Sequence, residues 1–137
     1  MFRSPTVAHA HCDLYCGVYD PAQAKIEAMS VMKAAQKYHE SSEEDFRTRA
    51  ITIKEERAEL VKHHLMVLWI DFFTPDHRQE FPGLDDLFWR AIRAASDAKK
   101  SLDPADGQKL IDLVDEVADI FWQTEKAKTS GLYPPSS

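Results

Sequence analysis

Three side chains that commonly bind metals lie within six residues near the N-terminus: the imidazole of His11 and the thiols of Cys12 and Cys16. Thiolates and imidazole bind zinc in tetrahedral sites and nickel(II) or copper(II) in square-planar ones. Because His11 and Cys12 are adjacent, the backbone nitrogen between them comes within reach of an ion that both bind. Amide nitrogen favours square-planar nickel or copper, and with thiolate it stabilises a higher oxidation state. The segment therefore predicts a metal site capable of redox chemistry.

The spacing alone leaves other interpretations open. A Cys-x-x-x-Cys pair can also form a thiol–disulfide switch or a weak zinc site. A disulfide framework is not indicated, because Cys12 and Cys16 are the only cysteines in the chain. Two thiols this close in a cytosolic protein more often indicate metal or redox chemistry.

Composition and charge are ordinary for one globular domain. The chain has 137 residues, of which 44% are hydrophobic and 29% charged, and its formal net charge is −6. This charge argues against nucleic acid or an anionic membrane as a partner. No apolar run approaches the roughly 20 residues of a membrane span, and the first ten residues lack the apolar core of a secretory signal. We expect a cytoplasmic protein without a membrane partner.

Apolar residues then recur at helical spacing in four stretches. These stretches run from Ala24 to Tyr38, Phe46 to Phe72, Leu84 to Ala95 and Leu110 to Phe121. Asp20-Pro21 and Asp103-Pro104 each predict a helix start, with Asp as the N-cap and Pro as the first helical residue. Four amphipathic helices with short connections predict an all-α fold, an antiparallel up-down four-helix bundle, with the metal-binding segment as an N-terminal hook.

The second helix is predicted to be long. It begins near Ser42, with Ser42 and Asp45 as a capping box, and it runs to about Phe73. The sequence Thr74-Pro75-Asp76 is expected to end it. After the last helix, residues 129–137 are predicted to form a flexible tail or a docking arm.

The N-terminal run His11-Cys12-Asp13-Leu14-x-Cys16-Gly17-Val18-Tyr19-Asp20-Pro21-Ala22-Gln23-Ala24 resembles the start of the mature nickel superoxide dismutases. The hook is a very specific motif, and further similar blocks follow it in the same order. These blocks are Lys25-Ile26-Glu27-Ala28, Thr48-Arg49-Ala50, Ile53-Lys54-Glu55-x-Arg57-Ala58-Glu59-Leu60, Lys62-His63-His64, Leu68-Trp69, Asp103-Pro104-Ala105 and Ile120-Phe121-Trp122. The resemblance covers residues 10–128.

The resemblance implies a nickel-dependent superoxide dismutase that converts superoxide to oxygen and hydrogen peroxide by Ni(II)/Ni(III) cycling. It implies a homohexamer of four-helix bundles with one nickel ion per subunit. The ligands would be the free amine and imidazole of His11, the amide nitrogen and thiolate of Cys12, and the thiolate of Cys16.

The resemblance also assigns residues around these ligands. Tyr19 would lie over the open face of the metal, where it limits access and orders water. The catalytic residues would be Tyr19 and the three ligand residues. Asp13, Glu27 and Arg57 would surround the site, and the last two would orient the imidazole. Four lysines and arginines could attract the superoxide anion: Lys25, Arg49, Lys54 and Lys62.

Ten residues precede His11, so that its nitrogen is an amide in the full chain. The family makes an inactive precursor that is cut before the histidine. The chain is therefore expected to be such a precursor and to need a processing protease. We divide it into a leader at residues 1–10, the nickel hook at 11–20, the bundle at 21–128 and the tail.

The chain departs from the family pattern at two positions. Tyr15 stands where a proline usually sets the turn of the hook, and Phe72 stands where many members carry a second tyrosine. A bundle that binds nickel or zinc without turnover is therefore an alternative interpretation. His63 and His64, adjacent on a helix, are expected to be surface or interface residues because neighbouring side chains point about 100° apart.

Overall fold

A computed structural model describes residues 17–135, apart from the side chain of Thr129. The described part is helical and contains no strand. Its helices are α1 (Ala22–Glu40), α2 (Glu44–Val67), α3 (Pro75–Glu80), α4 (Leu84–Lys100), α5 (Pro104–Gln123) and α6 (Ala127–Ser130). A π-helical turn, Leu68–Phe72, continues α2. The predicted all-α class is confirmed.

The four long helices form an antiparallel bundle in which α1 packs on α2 and α5, and α4 packs on the same two helices. Two contacts give the direction of α2 against α1: Arg57 bonds Glu27, and the Arg47 guanidinium lies over the Tyr38 ring. Connections of three residues, 41–43 and 101–103, join the antiparallel neighbours. The predicted four-helix bundle is confirmed, and within residues 17–135 no helix is apolar and long enough to span a membrane.

Small residues bring α1 close to its neighbours. Ala24 and Ala28 on α1 are fully buried, and Ala35 is 2% exposed. Gly107 on α5 lies directly against α1, since a Cβ atom placed there would be 2.7 Å from the Cα of Met32. The distance between these two helices is therefore set by the absence of a side chain at residue 107.

Helix starts at Asp-Pro follow the prediction to within one residue. The Asp103 carboxylate accepts a hydrogen bond from the Ala105 amide at 2.9 Å, and Pro104 is the first residue of α5. The Asp20 carboxylate accepts one from the Ala22 amide at 2.8 Å, but α1 begins at Ala22 rather than at Pro21.

The start and end of the second helix differ from the prediction. The predicted capping box of Ser42 and Asp45 is wrong, because Ser41 accepts the hydrogen bond of the Glu43 amide and α2 begins at Glu44 without a side-chain cap. Two residues of the predicted apolar stripe, Phe46 and Ile53, are exposed.

Thr74-Pro75-Asp76 also has a second role. Besides following the end of the π-helical turn, it begins α3, whose capping box joins Thr74 and His77.

Lys54 is the one charged residue among residues 17–135 that is buried with the apolar core, at 2% exposure. Its ammonium donates to the carbonyls of Ala98 and Lys99 at 2.8 and 2.5 Å. These carbonyls belong to the last turn of α4, which lacks partners within its own helix and attracts a cation. Burial lowers the pKa of Lys54, opposed by the charge of Glu55. Lys54 thus joins α2 to α4 and is too buried to attract a substrate anion from solvent.

Gly107→Ala is expected to lower the free energy of unfolding by about 1–3 kcal/mol, because the added methyl group meets the Met32 backbone. Helix propensity alone would make the alanine variant more stable by about 1 kcal/mol. A net loss of stability would therefore come from the close approach of α5 to α1. Urea unfolding followed by circular dichroism measures it. Lys109→Ala, exposed on the same helix, is the control and should stay within about 0.5 kcal/mol of wild type. A more stable Gly107→Ala variant would contradict the close approach.

Candidate functional site

Tyr19 attaches the N-terminal segment to the bundle. Its side chain is only 7% exposed, and its ring meets that of Phe72 edge to face at a centroid distance of 5.6 Å. Gly17, two residues earlier, has a φ of +72°, which glycine adopts without strain. The backbone thus turns immediately before a buried anchor. Phe72, predicted to replace a tyrosine of the site, does lie beside Tyr19.

The π-helical turn places Phe72 in this contact. The Phe73 amide donates to the Leu68 carbonyl at 2.9 Å, which widens the last turn of the helix. The Phe72 carbonyl accepts a hydrogen bond from the Lys126 ammonium at 2.6 Å. That ammonium also lies 4.8 Å from the Phe72 ring centroid and 5.8 Å from the Tyr19 ring centroid. Burial lowers the pKa of Lys126, opposed by the charge of Asp71. A cation therefore sits beside the Tyr19–Phe72 pair.

Glu27 and Arg57 form the predicted ion pair between α1 and α2. The Arg57 Nη1 lies 3.3 Å from both carboxylate oxygens of Glu27. The Glu27 side chain is 16% exposed, and that of Arg57 is 39% exposed. The pair thus fixes a half-buried carboxylate, a geometry suited to orienting an imidazole.

His64 is a residue of this region that sequence reasoning did not select. Its ring centroid lies 5.3 Å from that of His63, and burial lowers the pKa of His64, assisted by the charge of His63 and opposed by that of Glu27. We call residues 17–20, which join the hook to α1, the hook base. His64 also lines a narrow cleft with residues of the hook base, α1 and the end of α2. The cleft is lined by Val18, Tyr19, Asp20, Gln23, His64, Val67 and Leu68.

The periodicity of α2 contains the signal that identifies His64. Arg57 and His64 are seven residues apart, so they lie on one face of the helix, two turns from each other. His64 was expected to be a surface or interface residue, and its side chain is partly exposed. His64 thus feels the charge of Glu27 and lines the same cleft as Tyr19.

The remaining predicted site residues, His11, Cys12, Asp13 and Cys16, lie outside the described residues, as does Tyr15. Within residues 17–135, no group of three or more His, Cys, Asp or Glu side chains could hold a metal ion. Both cysteines of the chain belong to the hook. Thiolate ligands can therefore come only from residues 12 and 16, and the bundle supplies the surroundings.

Comparison with known proteins identifies the family. Residues 6–125 match the family described as nickel-containing superoxide dismutase. The chain belongs to this family. It is 50% identical over 127 residues to nickel superoxide dismutases of Streptomyces coelicolor and Streptomyces seoulensis, which covers 93% of this chain and 97% of each relative.

Solved structures agree with this assignment. The native nickel superoxide dismutase structure has a TM-score of 0.82 and 51% identity, and the match covers 84% of this chain and 99% of that one. A structure with nickel ligation of the oxidised state also has a TM-score of 0.82, with 53% identity over 85% of this chain and all of that one.

The donor atoms of the hook fit the family metal. Nickel accepts imidazole, amide nitrogen and thiolate together, whereas oxygen ligands suit harder ions. His11, Cys12 and Cys16 provide the imidazole, the amide and the thiolates. They lie immediately before Gly17–Asp20, the segment that Tyr19 anchors.

We expect His64→Gln to reduce the loss of stability in mild acid. A His pKa that is lower in the folded than in the unfolded chain gives stability that is fully present above about pH 6.5 and is lost as pH falls through the lowered value. The unfolding free energy of the full chain, measured from pH 7 to pH 5, should therefore fall less steeply in the variant.

His63→Gln is the matched comparison for this prediction. It removes the charge of His63 but leaves the burial that is the main cause of the shift at His64. Most of the acid sensitivity should therefore remain. If the unfolding free energy of wild type and of His64→Gln fell equally steeply with pH, the lowered pKa of His64 would be contradicted.

Proposed function

We propose that this chain is the precursor of a nickel superoxide dismutase that holds one nickel ion per chain at residues 11–16 of the hook. The observation that carries the proposal is the confinement of both cysteines of the chain to that hook, next to His11 and directly before the buried anchor Tyr19. Membership of the nickel-containing superoxide dismutase family supports both the metal and the substrate.

The residues of the chain have distinct roles in this proposal. His11 supplies its amine and imidazole, Cys12 its amide nitrogen and thiolate, and Cys16 its thiolate. When bound, nickel would supply a Ni(II)/Ni(III) couple for one-electron exchange with superoxide. The overall reaction consumes two superoxide ions and two protons and gives oxygen and hydrogen peroxide.

The bundle shapes the space around the hook. Tyr19 would limit access to bound nickel, and the Phe72 ring fixes the position of Tyr19. Glu27 and Arg57 orient the His11 imidazole, since a carboxylate that accepts an imidazole N–H fixes both the ring and its tautomer. Asp13 lies within the hook and belongs to the same surroundings. The family resemblance further supports a cytoplasmic homohexamer.

Removal of residues 1–10 completes the proposed ligand set. An amide nitrogen at His11 carries the leader and cannot act as a primary amine ligand. Cleavage before His11 frees the amine, so that a processing protease controls when the site can be completed. Nickel binding and turnover are therefore properties of the shortened chain.

A chain that starts at His11 is expected to contain about one nickel ion and to dismute superoxide, whereas the full chain does neither. The physical reason is the free amine at His11. Pulse radiolysis for turnover and elemental analysis for nickel measure the two properties. The His11 chain extended by one alanine is the matched control and should resemble the full chain. Nickel without turnover in the His11 chain would favour the non-catalytic alternative, with Tyr15 and Phe72 as its first explanation.

Arg57→Lys in the nickel-loaded His11 chain is expected to lower turnover about tenfold or more, because lysine keeps the charge but not the geometry of the contact with Glu27. Stopped-flow decay of superoxide measures this. Arg49→Lys, an exposed change on the same helix, is the control and should keep wild-type turnover, because lysine keeps the positive charge by which Arg49 could attract superoxide. Equal rates in the two variants would contradict the role of the ion pair.

A further inference from the structure

The C-terminal segment returns to the base of the hook. We call residues 127–133, which comprise α6 and the three residues after it, the C-terminal strap. The Ser130 carbonyl accepts a hydrogen bond from the Tyr19 amide at 3.4 Å. The amides of Leu132 and Tyr133 donate to Asp20 Oδ2 at 2.9 and 2.6 Å. Of the two alternatives for the tail, these contacts favour a docking arm over a flexible segment.

Asp20 connects the strap to the start of α1. Its Oδ1 accepts the Ala22 amide at 2.8 Å, while its Oδ2 accepts the two strap amides. Hydrogen bonds to a charged acceptor are roughly twice as strong as neutral ones. One carboxylate thus ties together the hook base, the first turn of α1 and the strap.

The strap is itself seated on the bundle. Ala127 is 1% exposed, and its amide donates to the hydroxyl of the fully buried Thr124 at 3.2 Å. The Gly131 amide donates to the Ala127 carbonyl at 2.9 Å. A Cβ atom at Gly131 would lie 2.1 Å from Cη2 of Trp122, so this backbone packs directly on the indole. These contacts give the strap a fixed path to Asp20.

The strap follows the residues that the family model matches. The family match ends at residue 125, before the strap begins. The native nickel superoxide dismutase structure is covered over 99% of its length by 84% of this chain. Family membership therefore gives no account of a segment that bonds Tyr19 and Asp20.

We propose that the C-terminal strap, acting through Asp20, positions the base of the hook and so slows the release of nickel. The inference rests on the proposed function, because it takes residues 11–16 as the nickel site. In sequence, residues 11–16 are followed directly by Gly17–Asp20, whose backbone the strap holds. Fixing that backbone reduces the conformational entropy that the ligands lose when they bind the metal. Asp20 is in this view a positioning residue, since the strap acts through it on the hook.

Proline at residue 132 tests the strap with little other change. Leu132→Pro removes the amide that donates to Asp20, and Gly131, with φ −67° and ψ 140°, has the extended conformation that a residue before proline prefers. Leu132→Ala keeps the amide and is the matched control, because the Leu132 side chain is 60% exposed.

Two measurements separate positioning from general stability. Hydrogen exchange of the Tyr19 amide in the full chain reports on the hook base without any metal. Nickel release from the loaded His11 chain into excess chelator reports on the site. Leu132→Pro should accelerate both, nickel release by about tenfold, while Leu132→Ala should match wild type in both. Equal Tyr19 exchange in the two variants, or equal nickel release, would overturn the proposal.

Gly131→Ala provides a second route to the same answer. The added methyl group cannot coexist with Trp122 at its present distance, so the strap should move away from the bundle. All the backbone amides of the strap are kept in this variant. The same acceleration of Tyr19 exchange and nickel release is expected, and wild-type behaviour would count against the strap. Absence of nickel from the wild-type His11 chain would refute the proposed function instead, and Tyr19 exchange would still show whether the strap holds the hook base.

Discussion

The burial of the Tyr19 ring fixes where the N-terminal segment joins the bundle. The ring is held on one side by Phe72, and the backbone around it is held by Ser130 and Asp20. In the proposed function, all the nickel ligands come from six consecutive residues, 11–16, and the described anchor follows them directly in the chain. The bundle contributes the anchor, and its interior is almost entirely apolar among the described residues.

Each contact at the anchor depends on a different part of the fold. The π-helical turn at the end of α2 brings Phe72 to Tyr19 and turns its carbonyl to Lys126. The antiparallel pairing of α1 and α2 brings Glu27 to Arg57. Residues from α1, from the end of α2 and from the segment after α5 thus meet at the end of the bundle from which the hook departs. Rigid packing at that end holds the position of the hook base within narrow limits.

The sequence predicts the features that local rules govern. The four helices, the starts at Asp20 and Asp103, and the pairing of Glu27 with Arg57 all follow from periodicity, capping chemistry or family resemblance. The π-helical turn does not, since a single wider turn leaves the apolar pattern almost unchanged. The strap does not follow either, because its hydrogen bonds to Asp20 come from backbone amides that every residue except proline carries. Ser42 misleads because Ser41 is an equally good acceptor one residue away.

The contact of Lys54 with the end of α4 has a consequence for ionic strength. Surface pairs such as Lys37–Glu40, with side chains 60% and 61% exposed, lie in water where dissolved ions screen them. Lys54 is 2% exposed, so mobile ions cannot approach its ammonium closely. Concentrated salt should therefore weaken the ion pairs on the rim of the bundle while the connection between α2 and α4 keeps its strength. The contact of Lys54 with α4 is electrostatic, but it should be as insensitive to salt as the apolar core.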